Sequence, residues 1–482
     1  MFSLSMFLSG CGIRSNLSEY KKAGDGAVGC GYNVIFILLD SVRADHLSCY
    51  GYKRNTSPSI DKLASEGVIF KQAVSQSTWS LPDFCSLFTS RYVINHKVDE
   101  IDKRLKDSEL TLAEILKIYG YQTVAFTGGF WLSSVFNINQ GFDMYVEEQL
   151  FGKLTDTASL AVSWLEKNKE RRFFLLLQGF DGHSPFTAPL MYRSMYVDSK
   201  YEGVFKNIIL DHRVGDRIAG NRFFLDYDFK NSVEIHYEDI RHIIDLYDAE
   251  IRYADSAIGE FLNKLDELGI SDNTIVVLTS SHGVPLFEHG IILRRKHGGP
   301  TEDIIRVPLI IRHPAFKEGI RNTISSQVQH IDVMPTILDF LEIPINHQAQ
   351  GVSLFPLIKG KRGRITNQYA CISGYKEIAI RTASWKLINM FEAGERYELY
   401  DLKQLPIEQE NLILQRADIS DVFKQRLNLF LRKAGNDSEE CEMIPEYKIE
   451  EMRENMKRNG YWFLEVSRHN EIIGRQKKHG WQ

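Results

Sequence analysis

The sequence of 482 residues has no apolar run long enough to cross a bilayer, no Cys-x-x-Cys pair and no excess of basic charge. A spanning helix needs about 20 predominantly apolar residues in succession, so no segment is a candidate membrane span. The six cysteines stand apart at positions 11, 30, 49, 85, 371 and 441. That spacing supports neither a disulfide framework nor a zinc site. A net charge of -5 supplies no basic field, and nucleic acid is set aside as a partner. Internal repeats and low-complexity tracts are also missing. What remains is ordinary globular composition, with 43% hydrophobic and 25% charged residues. At this length the chain reads as one large domain plus something smaller.

Residues 1–32 read as a leader or linker, polar and Gly-rich beyond residue 11. Within them Leu8-Ser9-Gly10-Cys11 resembles the lipobox of bacterial lipoproteins. That tetrapeptide places the chain in the cell envelope; without it the expected compartment is the cytoplasm.

The chain is organised around Asn33-Val34-Ile35-Phe36-Ile37-Leu38-Leu39-Asp40, a bare apolar run that ends in one carboxylate. Such a run reads as a strand buried on both faces, as in a parallel sheet. Ligands bind beyond the carboxyl ends of such strands, so chemistry is expected at Asp40. Equivalent runs over residues 121–127, 173–178 and 274–279 alternate with helical patterns, and residues 68–74 and 306–312 add strands. A long amphipathic helix runs from about Ile240 to Gly269, and shorter ones cover 55–64, 110–116 and 331–341. Residues 190–235 read as an insertion over the sheet edge that shapes a pocket. This rhythm predicts an α/β fold with a mostly parallel central sheet flanked by helices, spanning 33–360. Short strands over 370–373, 377–382, 385–390 and 397–400 predict a small antiparallel subdomain over 361–415. A charged helical tail fills 416–482.

Four stretches deliver polar groups to one edge of the expected sheet: Asp40, a loop carrying Ser80, His183 after Asp181-Gly182, and Ser281-His282. Carboxylate, hydroxyl and imidazole together are what a metal-assisted nucleophile needs. Together with Tyr247-Asp248-Ala249-Glu250-Ile251-Arg252, Glu288-His289-Gly290, Lys296-His297-Gly298, Arg306-Val307-Pro308-Leu309 and Glu398-Leu399-Tyr400-Asp401-Leu402, these stretches resemble the sulfatase family of the alkaline phosphatase superfamily. The resemblance covers roughly residues 33–412. It implies an alkaline-phosphatase-like fold and a metal-assisted hydrolase of sulfate esters. Asp40, His282 and Ser80 would be the metal ligands. Ser80, nine residues before Thr89, would be the nucleophile position that sulfatases convert to formylglycine. His183, Lys296 and His297 would contact the transferred group or the leaving oxygen.

The departures carry as much meaning. Ser41 follows Asp40 where sulfatases carry a second aspartate. Phe84 replaces the arginine of the formylglycine signal, which weighs against conversion of Ser80. Ser281 replaces a carboxylate ligand ahead of His282. The resemblance implies a divalent cation, calcium foremost, with manganese or zinc as alternatives that tolerate imidazole better. Asp45 or Glu288 could replace the missing carboxylate. The expected partner is an anionic ester, as on a glycan or a lipid head group. Two other readings stay open: a phosphate-ester hydrolase or transferase using unmodified Ser80, and a binding protein on a degenerate site.

Overall fold

The computed structural model describes residues 31–458, less short internal stretches of which 290–298 and 361–368 are the longest. The lipobox, the leader up to residue 30 and the end of the tail therefore lie outside the described residues, as do Lys296 and His297. Among the described residues, no helix is long and apolar enough to cross a membrane.

Strand Asn33–Leu39 is the middle of a nine-stranded sheet. It pairs in parallel with Thr274–Ser280 on one side and Phe173–Gln178 on the other. Gln122–Thr127 and Met144–Val146 continue the parallel half. The apolar run is continuous because both faces are covered. Val34, Phe36 and Leu38 enter one core, while Ile35, Ile37 and Leu39 enter the other. Period-two alternation therefore separates two buried layers rather than inside from outside.

The expected strand over 306–312 is two strands, Arg306–Val307 and Leu309–Arg312, interrupted at Pro308. Proline has no N–H to give to a ladder. Leu309–Arg312 runs antiparallel to Thr274–Ser280 and to Val68–Val74. Beyond lies Thr323–Gln329, parallel to Val68–Val74, which the sequence reading did not foresee. Its residues Thr-Ile-Ser-Ser-Gln-Val-Gln carry only two large apolar side chains, so no apolar run announces it.

The long helix is Tyr237–Glu267, starting three residues before Ile240 and stopping just ahead of Gly269, whose φ is 69°. It buries Ile243, Tyr247, Ile251, Ile258 and Phe261 against the sheet. From it Asp255 accepts hydrogen bonds from the backbone N–H groups of Ser59 (2.9 Å) and Ile60 (2.8 Å). A side chain from another element thus satisfies the free donors that begin helix Pro58–Ser65.

Strands Ala370–Ser373, Glu377–Arg381, Trp385–Met390 and Arg396–Asp401 form an antiparallel meander. Tail helix Ala417–Asn436 docks on it through buried Phe423 and Leu427. Ser77, just ahead of Ser80, makes an isolated bridge with Ser373 of the meander. In the 190–235 insertion, Phe205 and Phe224 are buried in the core on the long-helix side.

Candidate active site

Register brings the chemistry together. Leu39 lies opposite Ser280, so the next residues, Asp40 and Ser281, leave adjacent parallel strands side by side. Leu38 lies opposite Gln178, which starts the loop to Asp181 and His183 at the same edge.

After Asp40 the backbone turns through Ser41, held in the left-handed region at φ 62°. A non-glycine residue there costs on the order of 1–3 kcal/mol and needs support. Tyr247 of the long helix supplies it. Its hydroxyl donates to the Ser41 carbonyl at 2.8 Å and accepts from the Arg43 N–H at 2.8 Å. Ser280 Oγ accepts from Val42 N–H at 2.9 Å and donates to the His282 carbonyl at 3.1 Å, locking the two turns to each other. Tyr247 and Ser280 were not singled out from sequence as parts of the site; their bonds to the Ser41 carbonyl and the Val42 N–H cross more than 200 positions.

Ser80 does not sit in a loop. It is the first residue of helix Ser80–Thr89, and its side chain is fully buried. The helix is anchored by Asp83, whose carboxylate accepts from Gln76 N–H (2.7 Å) and meets His330 Nδ1 (2.7 Å). His330 Nε2 in turn lies 2.8 Å from Thr279 Oγ1. This buried chain fixes Ser80 relative to strand Thr274–Ser280, which leads into Ser281. Phe84 is packed in the core at 1% exposure and does not line the pocket.

Ser80 Oγ lies 3.0 Å from Asp40 Oδ1 and 3.2 Å from His282 Nε2. His282 Nδ1 faces the Gly283 carbonyl at 2.5 Å. A carbonyl only accepts, so Nδ1 carries a hydrogen, and Nε2 is the ring nitrogen directed at Ser80 Oγ, whose hydroxyl is donated to Asp40 Oδ1. His183 is set the same way, with Nδ1 at 2.5 Å from the Ser184 carbonyl. Its ring packs against Phe180 at 4.2 Å between centroids. His183 and His282 both line a small pocket with Ser41, Thr78, Ser184 and Gly283. None of the described residues of the 190–235 insertion lines it. Below the His183 loop, buried Asp181 accepts from Leu154 N–H at 2.6 Å, and burial raises its carboxyl to about 6.

Asp40 Oδ1 is surrounded by hydroxyls: Ser281 at 2.8 Å, Ser80 at 3.0 Å and Ser41 at 3.2 Å. Asp40 Oδ2 is buried without a hydrogen-bond partner among the described residues. Among the described residues, one carboxylate, three neutral hydroxyls and one imidazole surround this point, which does not fit calcium, since calcium takes six to eight oxygens and draws its affinity from ligand charge. Asp45 and Glu288 do not make up the deficit. Asp45 is held bidentately by Arg43 at 2.9 and 2.7 Å, and Glu288 pairs with the same guanidinium. Burial opposes charge on both carboxyls, but Arg43 outweighs it and holds each below its ordinary range.

Residues 32–343 match the family model Sulfatase, and residues 288–433 match N-sulphoglucosamine sulphohydrolase, C-terminal. The chain is 24% identical to an N-acetylglucosamine-6-O-sulfatase of Bacteroides thetaiotaomicron, covering 86% of this chain and 88% of that protein. It is 26% identical to an ulvan-active sulfatase of Formosa agariphila, over 84% and 82% respectively. A structure solved in complex with its substrate D-glucosamine-2-N,6-O-disulfate superposes with a TM-score of 0.70 at 21% identity, covering 85% of this chain and 100% of that one. A phosphonate monoester hydrolase of Agrobacterium radiobacter superposes at 0.67 and 20%, over 83% and 95%. Both superpositions establish the same mixed α/β architecture.

Proposed function

Because the chain belongs to the sulfatase family, we propose that it hydrolyses a sulfate monoester carried on a sugar, with the Ser80 hydroxyl as nucleophile. The observation that carries this reading is the placement of Ser80 Oγ 3.2 Å from His282 Nε2, the ring nitrogen that does not face the Gly283 carbonyl. Sulfatases generally use a divalent metal and a formylglycine. The donors around Asp40 do not fit calcium, and Phe84 stands where the formylglycine signal has arginine, so the proposed reaction runs through the chain's own groups.

Ser80 Oγ passes its proton to His282 Nε2 and forms a bond to the ester sulfur. The bond between sulfur and the sugar oxygen breaks, and that oxygen takes a proton from protonated His183. Asp40 Oδ1, 3.7 Å from His282 Nε2, stabilises the imidazolium so formed. The start of helix Ser80–Thr89 favours negative charge on the group being transferred. Water then attacks the sulfur of sulfo-Ser80 and yields its proton to His183. Hydrogen sulfate departs as Ser80 regains its proton from His282. Sulfated hexosamines are the proposed substrates, since such sugars are named for two of the similar proteins.

Sulfate release from a panel of 6-O- and N-sulfated hexosamines tests this reading. Release that disappears in Ser80→Ala is expected. Release of phosphate from matched phosphate esters without any release of sulfate would overturn it.

A further inference from the structure

A second group of ligating side chains lies behind the His282 turn. His289, Asp303 and Glu408 each offer one ligand atom, and these atoms lie within 4.8 Å of one another. His289 Nε2 is 3.7 Å from Asp303 Oδ1. The Asp303 side chain is only 5% exposed; Thr301 contacts its carboxylate, and neither oxygen completes a well-formed hydrogen bond among the described residues. Glu408 is equally enclosed; its Oε2 accepts from Glu302 N–H at 2.7 Å, and its Oε1 pairs with Lys386.

Charge in this region does not balance among the described residues. Arg43 is shared by Asp45 and Glu288, and also faces Asp303. Arg381 and Lys386 are shared by Glu302 and Glu408. Arg306 also acts on Asp45, so four cations face five carboxylates. A buried carboxylate without a partner is costly and is met in proteins by a proton, a counter-charge or a metal.

We propose that His289, Asp303 and Glu408 hold a divalent cation at a site separate from Asp40. One imidazole and two carboxylates suit a borderline ion such as zinc or manganese better than calcium. The ion would staple two segments that already touch: Gly283 N–H donates to the Ile304 carbonyl at 2.6 Å, and a Cβ on Gly283 would come within 2.0 Å of the Asp303 carbonyl. Holding Asp303 to His289 would close the turn that begins at His282.

The test is titration of chelator-stripped full-length protein with zinc chloride by calorimetry, with bound metal counted by mass spectrometry. Wild type is expected to bind one zinc. Asp303→Asn and His289→Ala should each weaken binding by roughly tenfold or more, while Asp40→Asn should bind as wild type does. His289 is part-exposed, so its alanine variant carries the test if Asp303→Asn fails to fold. The proposal is overturned if wild type takes up no zinc or manganese, if the folded variants bind as wild type does, or if only Asp40→Asn loses the ion.

Discussion

Ser281 donates its hydroxyl to Asp40 Oδ1 at 2.8 Å, so a neutral group lies against the one carboxylate of the site. Replacing it with a second carboxylate supplies the charge that calcium needs. Ser281→Asp should raise calcium affinity by roughly tenfold or more. Without the ion, two adjacent buried carboxylates repel, so the variant should melt lower in chelator and recover with calcium. Calorimetry and thermal melts with and without calcium check this; equal calcium affinity in both proteins would count against it.

In the proposed reaction His282 takes the Ser80 proton through Nε2, 3.2 Å from Ser80 Oγ. His282→Gln should lower kcat by roughly 10²- to 10⁴-fold while leaving KM for the sulfated sugar nearly unchanged. Steady-state kinetics decide the point. A variant with wild-type kcat would remove His282 from proton transfer.

Phe84 fills core volume at 1% exposure. Restoring the arginine of the family motif should therefore not restore the motif. Phe84→Arg buries an unpaired guanidinium and should destabilise the fold by about 3 kcal/mol or more. Urea denaturation measures this; unchanged stability would show that the side chain finds a partner or solvent.

Burial raises the Asp332 carboxyl from 3.8 to about 7, against hydrogen bonds from Gln329 and Val352 N–H groups at 2.9 Å that favour its charged form. The folded chain thus binds this proton more tightly than the unfolded chain does. Stability from this group is fully present below about pH 4 and is lost as pH rises toward 7. In urea denaturation, wild type should lose stability relative to Asp332→Asn across that window. Parallel pH profiles would contradict the assignment.

The sheet was legible because strands buried on both faces are written as bare apolar runs, as in residues 33–39 and 173–178. The convergence of Asp40, His183 and Ser281-His282 followed from where those strands end, and the structure brings Ser80 to Asp40 and His282. The positioning contacts were not legible. Tyr247 reaches Ser41, and His330 reaches Asp83, across spans that no local pattern encodes. Asp45 and Glu288 were candidates to complete the Asp40 site by charge alone. Arg43 claims both of them, and sequence cannot rank one carboxylate's partners against another's. Strand Thr323–Gln329 escaped notice because its polar side chains do not write a period.

Peptide mass spectrometry of Ser80, before and after incubation with a sulfated hexosamine and rapid quenching, tests the central claim most directly. Serine before substrate, and serine carrying one sulfo group after it, is the predicted result. A formylglycine at position 80, or turnover with no adduct at Ser80, would contradict direct attack by its hydroxyl.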